Sequence, residues 1–511
     1  MTAIKQGEIY LSELTQGIAK LDSEQNVLIT GLELDSRKVK PGNVFFALNG
    51  TASNGLDFIN DAISKGAIAI FVDSNDADLV KDQISANIIF VGNLISKVGL
   101  ISHRYFGNST DEMKVFGVTG TNGKTSVSHF IGQAIDQISG ARTSGVIGTL
   151  GNGFLGEFVS SGMTTPDVIS LHKSLSRLND YGAKATVIEA SSHGLSQQRL
   201  NGVKFNVAVF TNLTRDHLDY HGNMKAYGDA KLCLFKSQNL QAAVVNLDDP
   251  FSEQILDTLT QDQLNKIEII GFTFSEKNYP EINTIRCKKL DISVEGLEIE
   301  IDTPQGTGVI KTDLLGRFNA SNLLAALGSL LAAGYEFKAA IKALSEVTGV
   351  PGRMEAFIQK SQPAVVVDFA HTPDGLESAL STLKELCVGK LWCVFGCGGD
   401  RDKGKRSLMG KVAEKLSDSI IITNDNPRSE DPEMIADQIL AGIKNSDRAN
   451  VIFDRKQAIE FAINSVQQND IVLIAGKGHE EWQEVNGQRF PFNDRNIVLN
   501  ILNTQQAEGD K

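Results

Sequence analysis

Cysteine is scarce in this chain, long apolar runs are missing and positive charge is in the minority. Five cysteines among 511 residues, Cys233, Cys287, Cys387, Cys393 and Cys397, are odd in number and scattered. They read as reduced thiols of a cytoplasmic protein rather than as a disulfide framework. Cys393 and Cys397 lack a second Cys or His pair at zinc-ligand spacing, so they read as small buried hydrophobes. No apolar run approaches the length of a membrane span, and Met1 to Gly17 has no apolar core of signal-peptide type. Forty-nine basic against 62 acidic residues give a net charge of −13, which argues against a nucleic-acid or anionic-membrane surface. Repeats, low-complexity tracts and a dinucleotide-binding fingerprint are also missing.

What remains is an ordinary globular composition, 41% hydrophobic and 22% charged. The length suggests about three domains. Short strands alternate with helical patterns throughout, which predicts an α/β fold. The expected divisions are an N-terminal α/β domain over 1–105, a central P-loop α/β domain over 106–347 and a C-terminal Rossmann-like α/β domain over 348–511. Expected strands in the first are Asn26–Thr30, Asn43–Leu48, Ala67–Val72 and Asn87–Val91. Leu34-Asp-Ser-Arg37, between two of them, reads as a turn. Alternating runs from Glu268 to Lys311 predict a β-rich layer, and a long apolar helix follows Gly316 through Ala333. In the last region Ala364–Asp368, Leu391–Phe395, Ser419–Thr423 and Asp470–Ala475 are candidates for buried parallel strands. The polar tail from Thr504 to Lys511 is expected to fray.

Chemistry concentrates where strands end. The apolar run Val115–Val118 leads into Gly120-Thr-Asn-Gly-Lys-Thr125, and apolar residues then recur at helical spacing from Val127 to Ile138. Strand, glycine turn and helix N-terminus form a cradle for nucleotide phosphates. Lys124 is placed to reach the β- and γ-phosphates and Thr125 to ligate Mg²⁺. Val118 stands where the full Walker A pattern has glycine. Two later strands end at Glu189 and before His217, beyond the carboxyl edge of the sheet with Lys124, which suggests Mg²⁺-assisted phosphoryl transfer. Singly, a strand-end Glu also suits a helix cap, and a lone His is also an ordinary packed residue. On composition Lys231 reads as a solvated helical lysine. In the C-terminal region four strand-end loops are rich in Arg, Asp and Asn. Arg401 and Arg428 offer forks for a carboxylate, and Asp425 and Glu480 offer charge for an ammonium. A ligand carrying both charges, such as an amino acid, fits them; solvated surface charge is the plainer alternative.

Six segments occur in one order: Gly120–Thr125, Glu189-Ala-Ser-Ser-His-Gly-Leu195, Asn212-Leu-Thr-Arg-Asp-His-Leu-Asp-Tyr-His-Gly222, Gly316-Arg-Phe-Asn-Ala-Ser-Asn322, Pro351-Gly-Arg-Met-Glu355 and Asp368-Phe-Ala-His-Thr-Pro-Asp374. Together they resemble the Mur ligases, over essentially the whole chain, and Asp425-Asn-Pro-Arg428 resembles the diaminopimelate-adding members. The family's loop has the shorter Gly-x-x-Gly-Lys-Thr form, which accounts for Val118. The resemblance implies an ATP-dependent amide ligase of peptidoglycan synthesis. It activates the D-Glu carboxylate of UDP-MurNAc-L-Ala-D-Glu as an acyl phosphate and adds meso-diaminopimelate. Gly120, Thr121, Asn122, Gly123, Lys124, Thr125 and Ser126 are then expected around the ATP phosphates, with Asn322, Arg353, Asp368 and His371 lining the rest of that site. Thr125, Glu189, His217 and a carbamylated Lys231 are expected to serve Mg²⁺, and Lys124, Glu189, His217 and Lys231 to be catalytic. Leu34 and Ser36 match uridine contacts, and Thr164, Thr165, Ser191, Gln197 and Arg199 match contacts to the muramoyl dipeptide. Arg401, Asp425, Asn426, Pro427, Arg428, Gly476 and Glu480 match the diaminopimelate site, and Arg428 is the choice for specificity because lysine-adding relatives lack it. The implied protein is a cytoplasmic monomer with small-molecule substrates. A lysine-adding ligase leaves Arg428 without a counter-charge. A folylpolyglutamate synthase does not fit the Ser-Ser-His-Gly stretch, and a regulator without catalysis does not explain the intact reactive set.

Overall fold

Apolar runs without polar alternation are what a strand needs when helices cover both faces of its sheet. The computed structural model of the protein describes residues 9–50, 53–80, 87–160, 162–259, 267–293, 296–358 and 362–509, with side chains to residue 504. The first residues of the expected signal-free N-terminus and the last two of the tail lie outside the described residues. The chain divides into two units. One comprises Met1–Gly117, Ser139–Ala208 and Cys233–Gln241; the other comprises Val118–Ile138, Val209–Leu232 and Ala242–Lys511.

In the first unit, strands Gly31–Glu33, Asn43–Ala47, Ala69–Asp73 and Ile88–Val91 lie side by side in that order, all parallel. Alternate side chains point to opposite faces, as the pleat requires. Val44, Phe46 and Phe71 pack with Leu94, Val98 and Ile101 of helix Leu94–Tyr105. Phe45, Ala47, Ile70 and Val72 pack with Ile59 and Ala62 of helix Ile59–Ser64. The expected strand Asn26–Thr30 is only Leu28–Ile29, paired antiparallel with Ile9–Tyr10. Leu34–Arg37 turns as expected, because the Asp35 carboxylate accepts from Arg37 N and starts the 3₁₀ turn Ser36–Lys38. Farther on, Ala185–Glu189 runs parallel to Ser144–Gly148. The latter folds back antiparallel into Gly151–Phe154 and then Glu157–Val159.

In the second unit, helix Lys124–Ser139 opens directly from the glycine turn. Strands Ala242–Asn246, Glu268–Thr273 and Asn283–Ser293 are parallel neighbours. The antiparallel strands Gly296–Thr303 and Gly306–Thr312 follow, forming the expected β-rich layer. Helix Arg317–Ala332 buries Leu323, Leu324, Leu327 and Leu330. The C-terminal sheet has the order Glu355–Phe357, Ala364–Asp368, Ile471–Ala475, Leu391–Phe395, Ser419–Ile422, Ala449–Val451. Only its first strand is antiparallel. Val366, Phe395, Ile422 and Leu473 face helices Pro373–Leu386, Gly404–Leu416 and Pro432–Leu440, while Val365, Val394, Ile421 and Val472 face helices Arg455–Ser465 and Asp494–Gly509. Four loops therefore leave the carboxyl ends of neighbouring strands, where α/β sheets bind ligands. Helix Asp494–Gly509 runs on past Thr504, in line with the helix propensity of Gln, Ala and Glu. Cys393 and Cys397 are buried, as expected, and burial pushes both thiols up, Cys397 to about 12.

Arg455 and Asp494 join those last two helices without any exposure to water. Arg455 Nε and Nη2 donate to the two Asp494 oxygens at 2.8 Å, and Nη2 also donates to Ala475 O at 2.9 Å. Removing one partner strands a buried charge. Asp494→Ala is expected to cost about 3–5 kcal/mol in urea unfolding. Asp291→Ala, which removes the exposed pair with Lys289, is expected to leave the unfolding midpoint in place.

Candidate active site

Gly120 and Gly123 adopt φ of +151° and +86°, values that L side chains rarely take. A Cβ on Gly120 would run into Thr211 Oγ1, and one on Gly123 would lie 2.5 Å from Asn322 Oδ1. The turn is pinned from the loop after the strand Val207–Phe210. Thr121 N donates to Asn212 O at 2.9 Å, Asn122 N donates to Asn212 Oδ1 at 2.9 Å, and Thr211 Oγ1 donates to Asn122 O at 2.6 Å. Asn122 Nδ2 reaches Asp374 Oδ2 at 3.0 Å. Ser126 is buried in the first turn of the helix.

Two lysines meet on one carbonyl here. Lys124 Nζ donates to Gly120 O and Thr121 O, each at 2.8 Å, and Lys231 Nζ donates to Gly120 O at 2.8 Å. Lys231 is 1% exposed, with its ammonium 4.3 Å from the Tyr227 ring centroid. The reading of Lys231 as a solvated helical lysine is thus overturned: helix Met224–Phe235 turns this residue inward. Burial, reinforced by the charge of Lys124, holds its amine well below the usual lysine range, against the pull of Asp216 and Asp249.

Asp216 is the residue that sequence reasoning passed over. It lies 3.4 Å from His217 Nε2, 3.5 Å from His371 Nε2 and 3.8 Å from Lys405 Nζ. Burial opposes its charge, but the His371 hydrogen bond and the charges of Lys405 and His217 hold it well below the usual carboxylate range. Its signal was the acid directly before His217 at a strand end. His217 itself takes the left-handed conformation, φ +53°, at the start of the short helix Leu218–His221.

Thr125 Oγ1 accepts from Arg353 Nη2 at 3.2 Å, and that guanidinium lies 4.3 Å from the Phe369 ring centroid. Asp368 accepts from Met354 N at 2.7 Å and Ala370 N at 2.8 Å; burial raises its pKa although Arg353 pulls it down. His371 Nδ1 lies 2.8 Å from Phe369 O. The second unit therefore brings Asn122, Thr125, Asn322, Arg353, Asp368 and His371 around the glycine turn and the loops beside it.

Next along the sheet edge, Arg428 has φ +51°, and its Nη1 donates to Gly399 O at 2.7 Å. Its Nε lies 3.6 Å from Glu484 Oε2. Asn426 Nδ2 donates to Glu480 Oε2 at 2.9 Å. Asp425 packs against Gly476, where a Cβ would lie 2.5 Å from its Oδ2. Pro427 O accepts from Glu430 N at 3.0 Å, closing the turn, and Arg401 Nη1 lies 4.0 Å from Asp219 Oδ2.

Glu189 belongs to the first unit. Its two oxygens accept from Thr149 N and Thr149 Oγ1, both at 2.9 Å. Thr149 Oγ1 lies 3.2 Å from Thr164 Oγ1, and Thr165 Oγ1 lies 2.9 Å from Ser191 Oγ. Arg199 Nη1 donates to Thr165 O at 2.7 Å and its Nη2 to Gln197 Oε1 at 2.6 Å. Thr165 Oγ1 also donates to Glu189 O at 2.6 Å, so the seven polar residues form one connected patch. Leu34 packs against the core of the N-terminal sheet and Ser36 is buried at the foot of the Asp35 turn. Among the described residues no three His, Cys, Asp or Glu side chains gather as a metal cluster, and no helix is long and apolar enough to cross a membrane.

The sequence matches three family descriptions along its length: Mur ligase family, catalytic domain, over 28–97; Mur ligase middle domain over 118–330; and Mur ligase, glutamate ligase domain, over 352–478. It is 44% identical over 485 residues to the UDP-N-acetylmuramoyl-L-alanyl-D-glutamate–2,6-diaminopimelate ligase of Coxiella burnetii, covering 95% of this chain and 98% of that one. The chain belongs to the Mur ligase family. The ligase of the same name from Chromobacterium violaceum is 44% identical over 476 residues, covering 93% of this chain and 94% of its own. A solved structure of a ligase of that name superposes with a TM-score of 0.71 at 36% identity, over 98% of this chain and 99% of that one. As a Mur ligase this protein is an ATP-dependent ligase, and the glycine turn with Lys124 is the part of it suited to a polyphosphate.

Gly123→Ala is expected to weaken nucleotide binding by more than about tenfold, since the added Cβ strains the turn and displaces Asn322. Titration with a fluorescent ADP analogue reads this, and unchanged affinity would remove the glycine turn from the nucleotide site.

Proposed function

We propose that this Mur ligase joins meso-2,6-diaminopimelate to UDP-N-acetylmuramoyl-L-alanyl-D-glutamate at the expense of ATP, in peptidoglycan synthesis. The observation that carries the substrate choice is Arg428, set between the Gly399 carbonyl and Glu484 on a loop that Asp425 and Asn426 share. Diaminopimelate differs from lysine by a carboxylate at its far end, and a guanidinium fork pairs with it. Arg401, Asp425, Asn426, Pro427, Gly476 and Glu480 complete the amino-acid site in this reading. Residues 1–105 carry the uridine nucleotide at Leu34 and Ser36. Residues 106–347 hold ATP, and residues 348–511 bring the amino acid. The muramoyl dipeptide lies against Thr164, Thr165, Ser191, Gln197 and Arg199.

A carboxylate is a poor electrophile, so it is first activated. The γ-phosphoryl group passes to an oxygen of the D-Glu carboxylate, ADP leaves and an acyl phosphate forms. The amine of diaminopimelate then attacks the acyl carbon, loses a proton, and inorganic phosphate departs with the electron pair of the broken C–O bond. Lys124 neutralises charge on the phosphates from the glycine turn. Arg353, stacked on Phe369, adds a second cation beside Thr125. Oxygen donors suit Mg²⁺. In this reading Thr125, Glu189 and His217 would hold it, the first two through such oxygens. Mg²⁺ would offset the negative charge that gathers on the transferring phosphoryl group.

Lys231 fits that donor set once its amine carries CO₂. The lone pair of the neutral nitrogen forms a bond to the carbon of CO₂, one C=O π bond opens onto oxygen, a proton is lost, and a carbamate with a single negative charge shared by two oxygens replaces the amine. Only the neutral amine can do this, and burial beside Lys124 favours the neutral form. The protein acts in this reading as a cytoplasmic monomer on small molecules.

Two measurements test the proposal. Phosphate release with ATP, Mg²⁺ and the UDP-muramoyl dipeptide should be rapid with meso-diaminopimelate and about a hundredfold weaker in kcat/KM with L-lysine. Equal rates would refute the specificity. Lys231→Ala should fold and bind nucleotide yet show no turnover, and bicarbonate should not restore it. Full activity in that variant would rule out the carbamate.

A further inference from the structure

Lys477 is a fully buried lysine that neither the phosphate chemistry nor the set of amino-acid contacts uses. It follows the strand Ile471–Ala475, between Gly476 at φ +116° and Gly478 at φ +53°. Its Nζ donates to Glu480 Oε2 at 2.5 Å and to Asn426 Oδ1 at 3.1 Å, and it lies 5.7 Å from the Trp482 ring centroid. Asn426 is thereby held on both ends of its amide. Its Oδ1 also accepts from Glu484 N at 2.9 Å, while its Nδ2 donates to the same Glu480 oxygen at 2.9 Å. Turning the amide over would set donors against donors, so one orientation is fixed.

Glu480 is the consequence. Both of its side-chain partners, Lys477 and Asn426, bond Oε2, and among the described residues Oε1 takes no hydrogen bond. The side chain is 20% exposed. A carboxylate gripped by one oxygen cannot swing, and it presents the other in one direction.

From this arrangement we infer that Lys477 is a positioning residue of the ligation reaction. Through Oε2 it clamps Glu480, with Asn426 as the second jaw, so that Oε1 alone receives an ammonium group of the incoming amino acid. The inference rests on the amino-acid site proposed above. It changes the part of Asn426 from a group that reads the substrate to one that holds Glu480. It also explains why a lysine is buried beside a site for a cationic group. Its charge offsets that of Glu480, so binding depends on direction more than on net charge.

A double-mutant cycle on the full-length enzyme tests it, with Lys477→Met, Glu480→Gln and the pair, measured as KM for meso-diaminopimelate, KM for ATP and kcat. Lys477→Met and Glu480→Gln should each raise KM for diaminopimelate by about tenfold or more, leave KM for ATP within about twofold, and combine to little more than either alone. Additive penalties, or a rise in KM for ATP of the same size, would overturn the inference. Should Lys477→Met not fold, Lys477→Arg decides: a selective rise in KM for diaminopimelate supports the clamp, and unchanged or uniformly lowered kinetics overturn it. A wild-type enzyme inactive with diaminopimelate overturns the proposed substrate and this inference together, whereas an active wild type with additive variants overturns the inference alone.

Discussion

The carbonyl oxygen of Gly120 accepts from two lysines, and much of the candidate site depends on that crowding. Two ammonium groups on one acceptor repel each other, and only Lys124 stands where it can relieve the strain outward, from the partly buried face of the turn. Lys231 is enclosed, so its relief is chemical: it gives up its proton more readily than a solvated lysine does. The glycine turn can bring them together because Gly120 and Gly123 have no Cβ where Thr211 and Asn322 stand. Backbone freedom at two positions thus sets the electrostatics of a third.

Asp216 plays the complementary part. Three groups that are cationic or able to become so, His217, His371 and Lys405, converge on a carboxylate with almost no access to water. Such a buried acid stays charged only because those partners are held in place. The loop carrying His217, the turn carrying His371 and the helix carrying Lys405 are therefore tied to one another through a single side chain. The left-handed φ of His217 is the local strain that this arrangement tolerates.

Regular structure was legible where the pattern was local. The C-terminal strands fall at Ala364–Asp368 and Leu391–Phe395 as their apolar runs predict, because a strand buried on both faces has no polar alternation to blur it. The pair Leu28–Ile29 is shorter than its apolar run, since its neighbour among the described residues is the two-residue strand Ile9–Tyr10. Lys231 was misread because amphipathic spacing is weak in helix Met224–Phe235, and its burial is decided by Gly120, 111 positions away. Asp216 and Lys477 were missed because each is completed by partners from other elements, His371 and Lys405 for the one and Asn426 for the other, beside the sequence neighbours His217 and Glu480. The family motifs carried the site further than periodicity did, but they name residues without saying which of them hold the others.

That distinction governs the C-terminal loops. Polar loops at strand ends are ordinarily mobile, yet a site that separates two amino acids by one carboxylate needs its Arg fixed to a fraction of an ångström. Here the fixing is done by ions with little or no exposure. Arg406, fully buried, donates to both oxygens of Glu430, to Gln438 and to Gly398 O, tying the loop after Phe395 to the one after Ile422. The hairpin Trp482–Val485 and Gln488–Pro491 takes Arg428 N on Glu484 O and returns Asn486 N to Arg428 O. Apolar residues of equal volume would stabilise the fold as well or better, because burying charge costs solvation. What they lack is direction. Hydrogen-bonded ions hold these loops in one arrangement, and in the proposed function selectivity for a second carboxylate would follow from that arrangement rather than from the presence of Arg428 alone.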